Sequence, residues 1–370
     1  FCHLNHYITI VSRCVIDRAV IGAWVGSSNL GDELIFSILL RLLKEKGIKA
    51  SVPSVNPVKT SESFDVDSFS HMNFFEFKKQ LIASDALIFG GGGLLQDETG
   101  IWNLPYHLSR ISAARNQSVP WVGIGLGASG LTGKRSLKQV SNKFKGHLGV
   151  SVRDETSAEI LESLDIPNVI RAADLGWLWN VSDAAEPVSS PGFLGVSLRN
   201  PQTVRFLPAA IGPKASMPEK EISDIARNIN AVAISTGLGV RFISFNKDED
   251  ALLHQRVANK LEVDSEVLNP DLETLEQCFN GVEAVVTMRY HAGLIGALKG
   301  AAVVCLPFSK KLDSLVPSLG VAASKSTGDD LVSAVEIVLS GRSELNERVE
   351  GLKARSYKNM EVIELLDGIK

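Results

Sequence analysis

The sequence has 370 residues, 45% hydrophobic and 22% charged, which is typical of a globular protein with two domains of ordinary size. Its net charge of -4 excludes the broad basic surface of a nucleic-acid-binding protein, so an anionic substrate would be held by a few local cations. None of the four cysteines lies close to another in sequence, which disfavours a zinc ribbon or a redox dithiol and favours a reduced, cytoplasmic protein.

The first half of the chain alternates short apolar strands with amphipathic helices. Strands are predicted at residues 20–24, 48–52, 86–89, 121–124 and 149–152, and helices at residues 32–46, 102–115 and 156–164. Strands that are apolar throughout and alternate with helices predict a parallel sheet covered on both faces.

The second half repeats this alternation after a linker predicted at residues 183–192, where two prolines and a serine pair interrupt the apolar pattern. Strands are predicted at residues 193–198, 240–245, 284–287 and 302–305, and helices at residues 219–236, 250–261 and 291–298. We therefore expect an α/β protein with two Rossmann-like domains, residues 19–182 and 193–340, facing each other across a cleft.

The two ends of the chain lie outside this alternation. Residues 1–18 are expected to be a leader, to which we assign no role. Residues 341–370 are expected to form a C-terminal helix that could pack back on the first domain. Because ligands of open α/β sheets bind beyond the carboxyl ends of the strands, functional side chains are expected just after the strands of both domains.

The first such segment is Gly-Ser-Ser-Asn-Leu-Gly-Asp-Glu at residues 26–33, which follows the first strand and opens a helix. Free amides at a helix N-terminus can bind an anion, although the pattern matches neither a dinucleotide fingerprint nor a P-loop. Asn29 and Asp32 are candidate substrate-binding residues, and Asp32 could instead simply cap the helix.

Four consecutive glycines follow the strand at residues 86–89. They fit a place where the backbone and a ligand approach closely, so Gly91, Gly92 and Gly93 are candidate binding residues, although a tight turn without a ligand is the alternative. Asp97 follows them and is predicted to project its carboxylate toward the cleft, where it could accept a sugar hydroxyl or its proton.

Cationic residues occur at three further strand ends. Arg153 ends a strand of the first domain and Arg199 ends the first strand of the second, positions that suit bidentate binding of a carboxylate or phosphate. Arg153 could alternatively form a simple pair with Asp154, the next residue. Arg289 and His291 open a helix of small residues, where positive charge is disfavoured unless an anion is bound. This conflict favours function over packing there, although a lone histidine is more often structural.

Several of these segments occur together, in a fixed order, over nearly all of residues 20–320. The sequence resembles the polysaccharide pyruvyl transferase family, most closely its bacterial branch that acts on secondary cell-wall or exopolysaccharide glycans. The matching segments are Asn29–Glu33, Gly90–Asp97, Ser151–Asp154 with Ser157, Ala173-Asp174 and Arg289–His291, with a looser match at Phe308–Lys311. The chain departs from the family at residues 123–128, at Tyr290 and at Ser309, which leaves the acceptor sugar open.

The resemblance implies a GT-B-like fold, phosphoenolpyruvate as the donor substrate, and no cofactor, metal or nucleotide sugar. The implied reaction transfers a pyruvyl group to a sugar of a cell-surface polysaccharide or its lipid-linked precursor and forms a cyclic ketal. Arg289 and Arg153 would bind the donor anion, with Tyr290 beside them and Arg199 and Lys311 as further candidates. His291 would be the acid or a phosphate ligand, and Asp97 the base on the acceptor.

The implied protein is cytoplasmic or lies at the inner face of the membrane, which it would meet peripherally, through its glycan or lipid-linked acceptor. Two other functions remain open on the sequence alone. A GT-B nucleotide-sugar glycosyltransferase would have the same fold, because a fold does not fix a function. A non-catalytic glycan-binding protein would not need the pair Arg289 and His291.

Overall fold

The computed structural model describes residues 16–98, 100, 102–181, 192–200, 216–307, 310–326 and 328–367. Within these ranges the first half of the chain forms a parallel sheet. Its strands are β1 (Arg18–Gly22), β2 (Lys49–Ser54), β3 (Asp67–Ser70), β4 (Ala86–Gly92), β5 (Trp121–Leu126), β6 (Val150–Val152) and β7 (Val169–Arg171). They are ordered β3-β2-β1-β4-β5-β6-β7. The connecting helices are α1 (Leu30–Glu45), α2 (Pro57–Phe64), α3 (Phe74–Ile82), α4 (Asn103–Asn116), α5 (Lys134–Lys143) and α6 (Glu155–Glu162).

A second parallel sheet follows in the described part of the second half. Its strands are β8 (Phe193–Ser197), β9 (Gly239–Ile243), β10 (Ser265–Leu268), β11 (Val282–Thr287), β12 (Ala302–Cys305) and β13 (Ala323–Lys325), in the order β10-β9-β8-β11-β12-β13. The helices are α7 (Glu219–Thr236), α8 (Lys247–Ala258), α9 (Tyr290–Leu298), α10 (Lys310–Asp313), α11 (Leu315–Leu319), α12 (Leu331–Ser340), α13 (Leu345–Tyr357) and α14 (Glu361–Glu364). The predicted α/β class with two Rossmann-like domains is confirmed.

The strand order reverses at one place in each sheet. In the first domain β1 lies between β2 and β4, and in the second β8 lies between β9 and β11. Successive connections leave these strands toward opposite sides, which opens a crevice at their carboxyl ends. The segments after β1, β4, β8 and β11 contain Asn29, Gly93, Arg199 and Arg289, so the topology brings the sequence-predicted candidates to the crevices.

A single hydrophobic cluster spans both domains. It includes Leu34 of α1, Leu175 of the 3-10 turn Leu175–Leu178 and Leu294 of α9, all of them fully buried. Gly176 leaves room for this contact, because a Cβ there would lie 2.9 Å from the Leu294 side chain. The two domains are thus packed against each other directly behind the cleft. No helix in the described ranges is sufficiently long and apolar to cross a bilayer.

The C-terminal helices lie against the first domain. Ser356 donates to the carbonyl of Asp174 at 2.9 Å, and Asn359 donates to the carbonyl of Ala173 at 2.8 Å. Ser151 of β6 in turn donates to the Asn359 side chain at 2.7 Å. At the other end, β1 begins at Arg18, just before the expected boundary at residue 19, while residues 1–15 and most of the expected linker lie outside the described ranges.

Candidate functional site

The two domains meet at the N-terminus of α1. Asn29 forms an antiparallel bridge with Asn246, the residue that precedes α8, and Leu30 donates its amide to the carbonyl of Phe245 at 2.8 Å. Ser28 also donates to the Asn246 side chain at 3.0 Å. These bonds fix the segment after β1 against the segment after β9, and they form the floor of the cleft.

Asn29 rather than Asp32 caps α1. Its Oδ1 accepts the amide of Gly31 at 3.3 Å, and its Nδ2 donates to Asp32 Oδ2 at 2.6 Å. The alternative in which Asp32 serves only as the cap is therefore wrong. Asp32 instead faces the glycine segment, because a Cβ on Gly92 would lie 3.6 Å from Asp32 Oδ1.

Glycine is required in this segment by the backbone angles and by the packing against α1. Gly90, Gly91 and Gly92 have φ angles of 135°, 88° and 89°, which L-residues rarely adopt. A Cβ on Gly91 would lie 2.8 Å from Ile35 of α1. These constraints explain the glycines without a ligand, and β4 continues through Gly92 instead of ending at the expected residue 89. A binding role for Gly91, Gly92 and Gly93 stays a prediction.

Asp97 points to a loop of its own domain. Its Oδ2 accepts the amide of Gly133 at 2.8 Å, and its Oδ1 accepts the amide and hydroxyl of Thr132 at 3.3 and 3.2 Å. Partial burial raises the pKa of Asp97, but bonds from Ser136, Gly133 and Thr132 outweigh it and lower that pKa below its ordinary value. These bonds hold the carboxylate within the first domain and lower its basicity, so the role of Asp97 as the acceptor base stays a prediction.

Arg153 lies inside the first domain. Its side chain is 1% exposed and is paired with Asp154 at 3.3 Å and Asp174 at 3.4 Å. Burial disfavours the cation, but Asp174 and Asp154 together raise the pKa of Arg153. Gly127 gives the guanidinium its space, since any Cβ there would collide with it. The expected direct contact of Arg153 with the donor is therefore corrected: its donors hold Asp174 in place.

His291 connects the two domains. It lies in the first turn of α9, its Nε2 is 3.6 Å from Oδ1 of Asp174, and a Cβ on Gly31 would collide with its Nδ1. Although burial favours the neutral acid, His291 and Arg153 lower the pKa of Asp174 below its ordinary range. Asp174 also accepts the amide of Gly176 at 2.8 Å. The histidine thus lies between the start of α1 and a fixed carboxylate.

Arg289 and Arg199 lie side by side after β11 and β8. Arg289 is paired with Asp250 and, at 3.3 Å, with Glu249, while Arg199 Nε lies 3.9 Å from Glu249. Burial and the charge of Arg289 lower the pKa of Arg199 to about 10. Arg289 Nε has no hydrogen-bond partner among the described residues. Two adjacent guanidinium groups favour a bound anion, which would relieve their repulsion.

Tyr290 and Lys311 are the two remaining candidates. Tyr290 is 6% exposed, and its ring lies 5.1 Å from the Arg153 guanidinium, so it packs between the domains and not against a substrate. Burial, reinforced by Asp174, raises the pKa of its hydroxyl well above the ordinary value. Lys311 lies in α10, and its side chain is outside the described part of the chain.

Three carboxylates that organise this site, Asp174, Glu249 and Asp250, were not predicted as site residues from the sequence. Asp174 precedes the 3-10 turn Leu175–Leu178, and Glu249 and Asp250 lie in the first turn of α8. Asp250 is fully buried and accepts the amides of Phe245 and Asn246 at 3.1 and 2.9 Å. Of these carboxylates, only Asp174 lies in a segment whose sequence matched the family, Ala173-Asp174. In the described residues, no group of three or more histidine, cysteine or acidic side chains could hold a metal ion.

A model of the polysaccharide pyruvyl transferase family matches residues 29–309, which contain Asn29, Asp174, Arg199, Arg289 and His291. The chain belongs to this family. The match covers the start of α1, the glycine segment, Arg153, Arg199 and the Arg289–His291 segment. No curated protein matches the sequence.

Solved structures with the same architecture share little sequence with this pyruvyl transferase family member. A glycosyltransferase from Rickettsia africae has 10% identity and a TM-score of 0.60, over 94% of this chain and 98% of that one. MnaA of S. aureus, solved with UDP, has 11% identity and a TM-score of 0.61, over 94% of each chain. MurG of Acinetobacter baumannii has 11% identity and a TM-score of 0.52, over 94% and 99%. These likenesses show the GT-B fold.

Proposed function

We propose that the protein transfers a pyruvyl group from phosphoenolpyruvate to a sugar of a cell-surface polysaccharide or its lipid-linked precursor, forming a cyclic pyruvate ketal. Membership of the polysaccharide pyruvyl transferase family supports the class of reaction. The observation that carries the proposal is the concentration of Arg289, Arg199 and His291 at the N-terminus of α9, opposite the N-terminus of α1. No cofactor is required, because the donor itself carries the activated group.

The donor needs two kinds of help from the protein. Phosphoenolpyruvate carries a carboxylate and a phosphate, which Arg289 and Arg199 can bind through paired N–H donors, aided by amides at the helix N-termini. The methylene carbon must then gain a proton, so that the central carbon becomes electrophilic. One sugar hydroxyl attacks the central carbon and loses its proton, and the bond from that carbon to the phosphate oxygen then breaks. A second hydroxyl attacks the same carbon and loses its proton, which closes the ketal ring. One of the two protons restores the acid, and the other leaves with phosphate.

His291 is the proton donor in this proposal. Arginine cannot release a proton at neutral pH, whereas an imidazolium can. Asp174, 3.6 Å from its Nε2, stabilises the protonated ring by charge attraction. Arg153 in turn keeps Asp174 ionised and oriented. Arg153 is thus a positioning residue, and the acceptor base is left unassigned because Asp97 is engaged elsewhere.

The proposal is tested by phosphate release from phosphoenolpyruvate in the presence of a panel of p-nitrophenyl glycosides of neutral hexoses and N-acetylhexosamines. We expect glycoside-dependent phosphate release and a product heavier by one pyruvate ketal in mass spectrometry. Turnover of a nucleotide sugar with the same glycosides, and none of phosphoenolpyruvate, would reject the proposal in favour of a glycosyltransferase. Where the natural acceptor is lipid-linked, we expect the enzyme to meet it peripherally at the inner face of the membrane.

A further inference from the structure

An aromatic cluster lies at the carboxyl edge of the first sheet and takes no part in the site described above. Trp24 follows β1, His71 follows β3, and Tyr106 lies near the start of α4. The ring of Trp24 is nearly perpendicular to those of His71, Tyr106 and the neighbouring His107, at centroid distances of 5.4, 5.8 and 6.1 Å. Trp24, His71 and Tyr106 are half-buried, so each residue keeps some solvent-accessible surface, while His107 is buried.

The buried Arg110 side chain contacts both His71 and Tyr106 and fixes their positions. It is 4% exposed, its guanidinium lies 4.4 Å from the Tyr106 ring centroid, and it donates to the carbonyl of His71 at 2.7 Å. The Nδ1 atom of His71 and the hydroxyl of Tyr106 are 3.2 Å apart. Such cation–π and hydrogen-bonding contacts fix the rings before any ligand arrives, which reduces the entropy lost on binding.

The surface of the cluster is uncharged at neutral pH. Burial and the charge of Arg110 lower the pKa of His71, and the same two causes lower the pKa of His107 to about 3. Within the described part of the chain, no carboxylate pairs with Arg110. The ring faces, the Tyr106 hydroxyl and the His71 imidazole together suit a ligand with apolar C–H faces and many hydroxyl groups.

The position of the cluster connects it to the cleft. Trp24 and the cap residue Asn29 belong to the same short connection between β1 and α1. On the other side, Asn103 in the first turn of α4 donates to the carbonyl of Gln96, at the end of the glycine segment. The cluster therefore lies at the same carboxyl edge of the first sheet as the Asn29 cap and the glycine segment.

We propose that Trp24, His71 and Tyr106 form the subsite for a sugar ring of the acceptor. The C–H face of the pyranose packs on the aromatic rings, while its hydroxyl groups bond to the Tyr106 hydroxyl and the imidazole of His71. This inference rests on the proposed function, in that the acceptor must reach a donor bound by Arg289 and Arg199. It adds a location for the acceptor that no motif in the sequence indicates.

The test measures glycoside binding directly, without the donor. Saturation-transfer NMR with the p-nitrophenyl glycoside panel is compared among the wild-type protein, Trp24→Ala and the milder Trp24→Phe, with melting temperatures as the check on folding. We expect Trp24→Ala to weaken glycoside binding at least about tenfold, as removal of an aromatic anchor does at binding surfaces, and Trp24→Phe to weaken it less. Tyr106→Phe, which removes only the hydroxyl, provides a third variant if both changes at Trp24 prevent folding.

The matched control is Phe75→Ala, on α3, which removes an aromatic ring that is 79% exposed and lies outside the cluster. It should leave glycoside binding unchanged. Unaltered binding in every folded cluster variant, failure of the wild-type protein to bind any glycoside of the panel at millimolar concentration, or displacement of the glycoside by UDP would each overturn the inference. Failure of the proposed function would be visible separately, because phosphoenolpyruvate binding and phosphate release are measured without these variants.

Discussion

Arg153 and Arg289 occupy equivalent places, each at the carboxyl end of a strand bordering the same cleft, yet their surroundings differ. The Arg153 side chain is 1% exposed, and the carboxylates of Asp154 and Asp174 occupy its donors. Arg289 shares its carboxylates with a second cation, Arg199, and retains a buried Nε without a partner among the described residues. Two carboxylates serve one cation at Arg153, whereas two cations share Glu249 and Asp250 at Arg289, and our proposal is that an anion binds at the second arrangement.

This difference shows that the position of a cation in a parallel sheet does not define its role. The topology places both arginines near the cleft, but the carboxylates packed around each decide whether its donors are available. The comparison predicts that replacing Arg153 affects mainly stability, and that replacing Arg289, which also leaves the buried Asp250 without its paired cation, lowers donor affinity in addition to stability.

The largest expected effect is the loss of stability in Arg153→Ala. Removing the cation leaves Asp154 and Asp174 buried without their partner, so the free energy of unfolding should fall by about 3–5 kcal/mol. Urea denaturation measures this change. The control is Arg171→Ala, which removes a 40% exposed arginine from two surface pairs, with Glu155 and Glu162, and should lower the free energy of unfolding by less than about 1 kcal/mol. A stable Arg153→Ala protein that binds phosphoenolpyruvate poorly would show that Arg153 binds the donor, as proposed for Arg289, and would contradict the difference between the two arginines.

His291→Gln separates binding from chemistry at the second-domain side of the cleft. The turnover rate should fall at least about 100-fold, the low end for loss of a general acid, while phosphoenolpyruvate affinity largely persists. Steady-state kinetics of phosphate release and calorimetry of donor binding give the two values. Reduced affinity with normal turnover would make His291 only a phosphate ligand. Lower thermal stability with normal turnover per folded molecule would make it structural.

Arg289→Ala should weaken phosphoenolpyruvate binding by about 1.5–3 kcal/mol, the range for a hydrogen bond to a charged group. Calorimetric titration of the folded variant measures the loss. Arg256→Ala, which breaks a surface pair with Glu219, is the matched control and should bind the donor normally. Donor affinity that is equal in the wild-type and Arg289→Ala proteins would remove the anion site from this side of the cleft.

The smallest expected effect concerns Asp97→Asn. The lowered pKa of Asp97 means that its bonds stabilise the fold above the unfolded-state pKa of about 3.9, and that this contribution is lost as the pH falls through the folded-state pKa. The variant should therefore lose about 0.5–1.5 kcal/mol at neutral pH, and the difference from the wild type should shrink in acid. Turnover should hardly change. A drop of about 100-fold would restore Asp97 as the base.

The alternation of apolar strands and helices was sufficient to predict both sheets and the helices α1, α4, α6, α7, α8 and α9, but not α2, α3, α5 or α12. It missed β3, β7, β10 and β13, which are the edge strands of the two sheets. Their residues are largely exposed or half-buried and so lack a continuous apolar pattern. Arg289 and His291 were predicted as candidates because positive charge is unfavourable at a helix N-terminus, and Arg199 because an arginine at a strand end suits bidentate anion binding. Asp174 and Asp250 act through residues distant in sequence, and Asp97 binds residues 132–136, so their roles required the tertiary structure.

The central claim is that the cleft binds phosphoenolpyruvate through Arg289, and thermal unfolding with two ligands tests it most directly. For any ligand present at a hundred times its dissociation constant, the native state gains about 2.7 kcal/mol, which raises the melting temperature measurably. We predict that phosphoenolpyruvate raises the melting temperature of the wild-type protein, that Arg289→Ala abolishes most of this rise, and that UDP has no effect on either. A rise with UDP or a nucleotide sugar, and none with phosphoenolpyruvate, would contradict the account.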